Sequence, residues 1–242
     1  MCYHVQIAPK INLCSVFDRD YELILDYDIA YHLNGFAHPY LPLVTGEEPV
    51  QVQMYQWGLI PHWAQNREKA AELQNFTLNA TCENVFEKPS FKHSIYKNRC
   101  LIPVSGFFEN RHEGKLKYPY FIYPAQGNVF LMGGLTSEWT DRETGEIVPT
   151  CTIITTPANL LMEKIHNTKK RMPLIFTPEQ AKKWLQPGLN REELEQLMVP
   201  CPDDMLRYHT ISRAINQFRQ KDTNVATISN EVVYPELALL DN

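Results

Sequence analysis

The run Arg99-Cys100-Leu101-Ile102-Pro103-Val104, carried on through Ser105-Gly106 into Phe107-Phe108-Glu109, constrains the fold most: it is near-continuously apolar and ends on a carboxylate. A short apolar or β-branched run bounded by turn residues reads as a strand. Three more follow, Tyr120-Phe121-Ile122-Tyr123, Val129-Phe130-Leu131-Met132 and Cys151-Thr152-Ile153-Ile154-Thr155-Thr156, so the pattern from Cys100 onward is predominantly strand. Upstream, Tyr3-His4-Val5-Gln6-Ile7 and Gln51 to Trp57 alternate polar and apolar residues as strands do. Helical spacing is expected over Asp18 to Leu33, Asn66 to Gln74, Pro157 to Ile165, Pro178 to Leu185 and Arg191 to Met198. The Pro-rich stretch Pro39 to Pro49 predicts an extended, irregular connection. With no internal repeat and no linker, these elements predict a single α+β domain over residues 1–220, with a curved, mostly antiparallel sheet. Residues 221–242 read as an acidic C-terminal tail on that domain.

Composition excludes several function classes. The 242 residues, 44% hydrophobic and 21% charged, are ordinary for a globular chain that buries a substantial core. No apolar run approaches the ~20 residues needed to span a bilayer. No basic region followed by an apolar stretch opens the chain, so the expected location is the cytoplasm, without membrane contact. Six scattered cysteines form no CxxC pair and no metal-ligand spacing, so neither a metal nor a cofactor is expected. A net charge of -5 argues against coating nucleic acid by bulk electrostatics, which leaves local contacts such as Lys169-Lys170-Arg171.

The chain begins Met1-Cys2, and the small side chain of cysteine is one that methionine aminopeptidase tolerates. Removal of Met1 would place an α-amine of pKa roughly 8 and a thiol of pKa roughly 8.5 on one residue. Such a pair captures an aldehyde: the amine forms a Schiff base and the thiol closes onto the same carbon as a thiazolidine. Other candidates are Asn79-Ala80-Thr81-Cys82-Glu83, Glu109 at a strand end where burial would raise its pKa, and His166 at a helix end. Trp57 and Trp63 offer rings on which bases could stack. Each of these alone has an ordinary structural reading as a cap, a turn residue or a core side chain.

In order along the chain, Cys2, Trp57-Gly58-Leu59-Ile60-Pro61-His62-Trp63, Asn79-Ala80 with Glu83, Arg99 to Glu109, His166 with Arg171-Met172-Pro173, and Ile211-Ser212 to Asn216 resemble the SRAP family. These are the abasic-site processing proteins. The resemblance implies a barrel-like sheet flanked by helices in a single SRAP-type domain. It implies binding of single-stranded DNA at abasic sites by a monomer, and a thiazolidine crosslink through Cys2 that shields the lesion. By match to the motifs, Asn79 would position the sugar and the amine, while Glu109 and His166 would handle protons. His4, Trp57, Trp63, Thr81, Lys169, Lys170 and Arg171 would face DNA. The chain departs from the family's Met-Cys-Gly-Arg and Asn-Ala-Arg-Ala-Glu at Tyr3, His4 and Thr81, so two phosphate-contacting arginines are missing. The family's Glu-Trp is Glu109-Asn110, and its short His-x-Arg-Met-Pro is stretched by lysines that would restore charge.

Two other classes compete with this reading. An N-terminal-nucleophile amidase or peptidase would turn over a peptide without DNA, and a non-catalytic binding module would bind without a covalent product.

Overall fold

The structure, a computed structural model, describes residues 2–9, 28–46 and 52–237. Among them twelve strands share one sheet: β1 (His4–Ile7), β2 (Leu33–Asn34), β3 (Tyr40–Thr45), β4 (Gln53–Trp57), β5 (Asn79–Thr81), β6 (Arg99–Glu113), β7 (Leu116–Pro124), β8 (Phe130–Thr140), β9 (Ile147–Pro157), β10 (Arg171–Pro173), β11 (Ile175–Phe176) and β12 (Leu206–Thr210). The helices are α1 (Arg67–Phe76), α2 (Ser94–Lys97), α3 (Leu160–Ile165), α4 (Pro178–Trp184) and α5 (Arg191–Leu197).

Five strands close on themselves. β9 pairs with β8, β8 with β6, β6 with β3 and β3 with β4, all antiparallel. β4 then returns to β9 in parallel, with Gln56 opposite Thr150 and Trp57 opposite Cys151. Closure leaves this part of the sheet without an edge.

Alternation along each strand decides what fills the interior. On β6, Cys100, Ile102 and Val104 join Leu41, Leu43, Trp57, Met132, Cys151 and Ile153 in one cluster. Leu101 faces the other way, into a second cluster with Leu131, Leu135 and Ile154 that α4 and α5 cover with Trp184, Leu194 and Leu197. A strand covered on both faces has no solvent side to keep polar, which is why this segment is near-continuously apolar.

β6 turns out of the barrel at Gly106. A Cβ there would lie 2.5 Å from the Ile122 carbonyl and the Phe121 ring, so the close approach requires glycine. The β1–β6 register shifts at the same place, with Gln6 opposite Gly106 and Ile7 opposite Val104. Beyond the bulge β6 pairs regularly with β7, and Glu109 lies opposite Tyr120.

Most expected elements form, and two differ. The connection expected over Pro39 to Pro49 contains β3, in which Leu41 and Leu43 are core residues and Pro42 lies opposite Met54. The three prolines Pro39, Pro42 and Pro49 read as punctuation, although alternate apolar residues can still fill a barrel face. The helix expected over Asp18 to Leu33 lies largely outside the described residues, and its described end is not helical: Leu33 pairs with Val5 in β2. Helix α1 follows its Asn66 cap, whose side chain accepts from the Lys69 N–H at 2.8 Å. Past Phe218 the chain stays on the body: Thr223 and Ile228 are buried, Glu231 bridges Ile211, and the Val232 N–H donates to the Thr210 carbonyl at 2.8 Å.

Candidate active site

Cys2 is fully buried at the start of β1. Two long-range hydrogen bonds fix its backbone: the Asn79 side-chain amide donates to the Cys2 carbonyl at 2.9 Å, and the Gly35 N–H donates to the Tyr3 carbonyl at 2.8 Å. Asn79 can reach because β5 lies parallel beside β9, with Asn79 opposite Ile153. Among the described residues its buried side-chain oxygen accepts no hydrogen bond, an acceptor that an incoming hydroxyl or amine could satisfy. Burial pushes the Cys2 thiol well above its ordinary pKa, and the nearby Glu109 carboxylate pushes it further. The thiol is therefore protonated at neutral pH.

Glu109 is buried, and desolvation raises its pKa to about 7. Near neutrality both its acid and its carboxylate forms are populated, the condition under which one group can give and take a proton. His166 follows the last residue of α3, buried, with Nε2 3.8 Å from a Glu109 oxygen. Its Nδ1 lies 2.9 Å from the Arg171 carbonyl. A carbonyl only accepts, so Nδ1 carries the proton and Nε2, on the side of Glu109, carries the lone pair. Burial lowers the His166 pKa to about 4 and keeps the ring neutral. Asn167 clips this corner to β6, accepting from the His112 N–H at 3.0 Å and donating to the His112 carbonyl at 2.8 Å.

The residues expected to face DNA divide. Trp57 is fully buried and its indole N–H donates to the Leu78 carbonyl at 2.8 Å, so it offers no face to a base. Of the two readings a tryptophan in this motif allows, core side chain or stacking platform, burial selects the core for Trp57. Trp63 is 37% exposed, its indole N–H 3.4 Å from the Pro89 carbonyl. His4 shares a hydrogen bond with His32, ring nitrogens 2.9 Å apart, and burial lowers its pKa to about 3. A neutral His4 cannot replace the charge of an arginine. Thr81 is half-buried and its hydroxyl accepts from Asn84 at 3.1 Å. Lys169 and Lys170 are exposed, Lys170 with its ammonium 3.5 Å from Glu163. Arg171 is held by Glu83 through both carboxylate oxygens and donates to the Thr155 carbonyl at 2.6 Å, so its charge is already paired. Burial alone would raise the Glu83 pKa, but the Arg171 hydrogen bonds outweigh it and hold the carboxyl below its ordinary value.

Sequence reasoning missed the Asn167 clip, His32, whose Nδ1 lies 2.7 Å from the Thr223 hydroxyl, and the pairing of Tyr3 with Phe36. All are contacts between distant segments, for which local spacing carries no signal. Among the described residues no helix is long and apolar enough to cross a membrane.

A closed five-stranded barrel that buries Cys2 beside Asn79, Glu109 and His166 agrees with the match of residues 1–218 to the family described as SOS response associated peptidase (SRAP). The chain belongs to the SRAP family. It is 38% identical over 222 residues to the abasic site processing protein YoqW of Bacillus subtilis, covering 87% of this chain and 94% of that protein. It is 30% identical to the abasic site processing protein HMCES of Xenopus tropicalis, over 68% of this chain and 53% of that one. Among solved structures, a protein from Bacteroides thetaiotaomicron superposes with a TM-score of 0.86 at 39% identity, covering 96% of this chain and all of its own.

Proposed function

We propose that this protein acts on single-stranded DNA at abasic sites, and that after Met1 is removed Cys2 forms a thiazolidine with the aldehyde of the ring-opened sugar. The observation that carries this reading is the placement of Cys2. Its backbone is pinned by Asn79, and its thiol lies within the electrostatic reach of a carboxyl poised near neutrality that faces a neutral imidazole. The names of the relatives, abasic site processing proteins, support the substrate.

The amine attacks first, because only its C=N product gives the thiol a carbon on which to close the ring, and its nitrogen adds to the aldehyde carbon to give a carbinolamine. Glu109 in its acid form donates a proton to the departing hydroxyl, water leaves, and a C=N bond remains. The resulting carboxylate takes the Cys2 thiol proton as sulfur bonds to the same carbon, and the electron pair of the C=N bond returns to nitrogen. That nitrogen keeps the one hydrogen it carried through the protonated C=N intermediate, so the thiazolidine is neutral, Glu109 is back in its acid form and the net change is loss of one water. The lone pair of His166 Nε2 accepts the proton of the sugar hydroxyl when the furanose opens. Holding amine, thiol and aldehyde together supplies the proximity term that makes ring closure efficient.

An N-terminal-nucleophile hydrolase would use the Cys2 α-amine as the base for its thiol and would turn over a peptide without DNA. Incubation of the Met1-free protein with an abasic oligonucleotide should give one complex that survives heat and detergent on a denaturing gel, and Cys2→Ala should give none. A Cys2→Ala protein that crosslinks as well as the parent would end this reading.

A further inference from the structure

We infer that Tyr3 and Phe36 form an aromatic shelf on which the nucleobase next to the abasic nucleotide stacks. The inference rests on the proposed action at abasic sites in single-stranded DNA. It starts from the finding that Trp57 is a foundation and not a platform. The ring of Trp57 lies under Gly35, where an added Cβ would be 3.3 Å from three of its atoms, and its N–H holds the carbonyl of Leu78. One buried ring thus supports both the residue before Phe36 and the residue before Asn79.

The short turn Gly35–Ala37 that carries Phe36 is tied at both ends. The Asn34 side chain accepts from the Phe36 N–H at 3.1 Å, and His38 Nδ1 lies 2.8 Å from the Trp57 carbonyl. The carbonyls of Cys2 and Tyr3 are in turn held by Asn79 and Gly35. Phe36 and the reacting residue are therefore parts of one rigid assembly.

On that assembly the Phe36 ring is 46% exposed, with its centroid 4.8 Å from that of half-buried Tyr3. The Tyr3 phenol borders the reactive corner: burial raises its pKa, and the Glu109 and Cys2 charges add to the effect. A lone exposed apolar ring needs no explanation, but a rigid pair at the edge of a site for a baseless sugar offers what the neighbouring base has lost, a stacking partner. Stacking reads a π face that every base possesses, so the shelf would be indifferent to sequence.

The test uses the full protein and a single-stranded oligonucleotide carrying a tetrahydrofuran abasic analogue flanked on one side or the other by 2-aminopurine. Binding should quench the fluorescence of the base on one side. Phe36→Ala and Phe36→Leu should abolish that quenching and weaken binding about 5- to 150-fold, and Phe36→Trp should restore both. Because the ring is half exposed, these variants should keep the parent melting temperature. Unchanged quenching and affinity in Phe36→Ala would overturn the shelf. Crosslinking of a natural abasic site, measured alongside for the parent and Cys2→Ala, separates the outcomes: a Cys2-dependent crosslink with no Phe36 effect removes only the shelf, whereas no crosslink at all removes the reading beneath it.

Discussion

The barrel interior and the corner beside it hold cysteines that are equally hidden and chemically unlike. Cys100, Cys151 and Cys2 are all fully buried, and burial raises the pKa of each thiol. Around Cys100 and Cys151 the neighbours are chiefly Ile102, Met132, Ile153 and other apolar chains, and the thiols pack as small hydrophobes. Around Cys2 the chain instead places a carboxyl, an imidazole and an amide with an open acceptor. Burial alone makes an inert thiol. Titratable and amide groups gathered beside the thiol make a site.

The widest separation between the two regions should come from Glu109→Gln. Removing the group that gives and takes the proton should slow crosslinking by 10²-fold or more at pH 7, and the pH–rate profile should lose its break near the Glu109 value of about 7. The same change should stabilise the fold at alkaline pH. The pKa of Glu109 is higher folded than unfolded, so its contribution is complete at low pH and lost as pH rises through about 7. Melting curves at pH 8 should favour Glu109→Gln by about 3 kcal/mol, and the advantage should vanish near pH 4. His166 runs the other way: its pKa is lowered, so its contribution is present above its ordinary value and lost as pH falls through about 4. A Glu109→Gln protein with the parent rate would show that the corner is as inert as the barrel.

Next in size, Asn79→Ala removes the donor to the Cys2 carbonyl and should slow crosslinking about tenfold while costing about 1 kcal/mol of stability. Comparison of its rate with its melting temperature separates positioning from folding. Trp57→Phe tests the barrel side. It strands the Leu78 carbonyl and should cost about 1–3 kcal/mol, whereas Trp63→Ala, at a partly exposed ring, should stay within about 0.5 kcal/mol in the same denaturant titration.

How much of this was legible depends on range. Strand β6 could be read because an apolar run is a local fact, but Glu109, expected at its end, lies inside Arg99–Glu113, since pairing with β7 carries the strand on past the apolar run. The parallel return of β4 to β9 joins Trp57 to Cys151, and no local pattern announces a partner so far along the chain. The same limit hid Tyr3 with Phe36, turned Trp57 into an expected platform, and left the ion pair of Arg171 with Glu83 unseen. Cys2, Asn79, Glu109 and His166 were found through an ordered set of motifs, and the contacts Asn79 to Cys2 and His166 to Glu109 show the corner in which they meet.

The smallest expected effect lies on the surface. Lys169→Gln should lower the salt dependence of DNA binding by about one unit of slope with little change in crosslinking at low salt, as measured by binding titrations from low to high salt.

The most direct measurement is intact mass spectrometry of the protein after reaction with an abasic oligonucleotide and denaturation, followed by thiol alkylation. The expected product has the mass of the Met1-free chain plus the oligonucleotide less one water, and its Cys2 resists alkylation because sulfur and nitrogen are closed in one ring. An adduct that retains Met1, or one in which Cys2 is still alkylated, would contradict the thiazolidine.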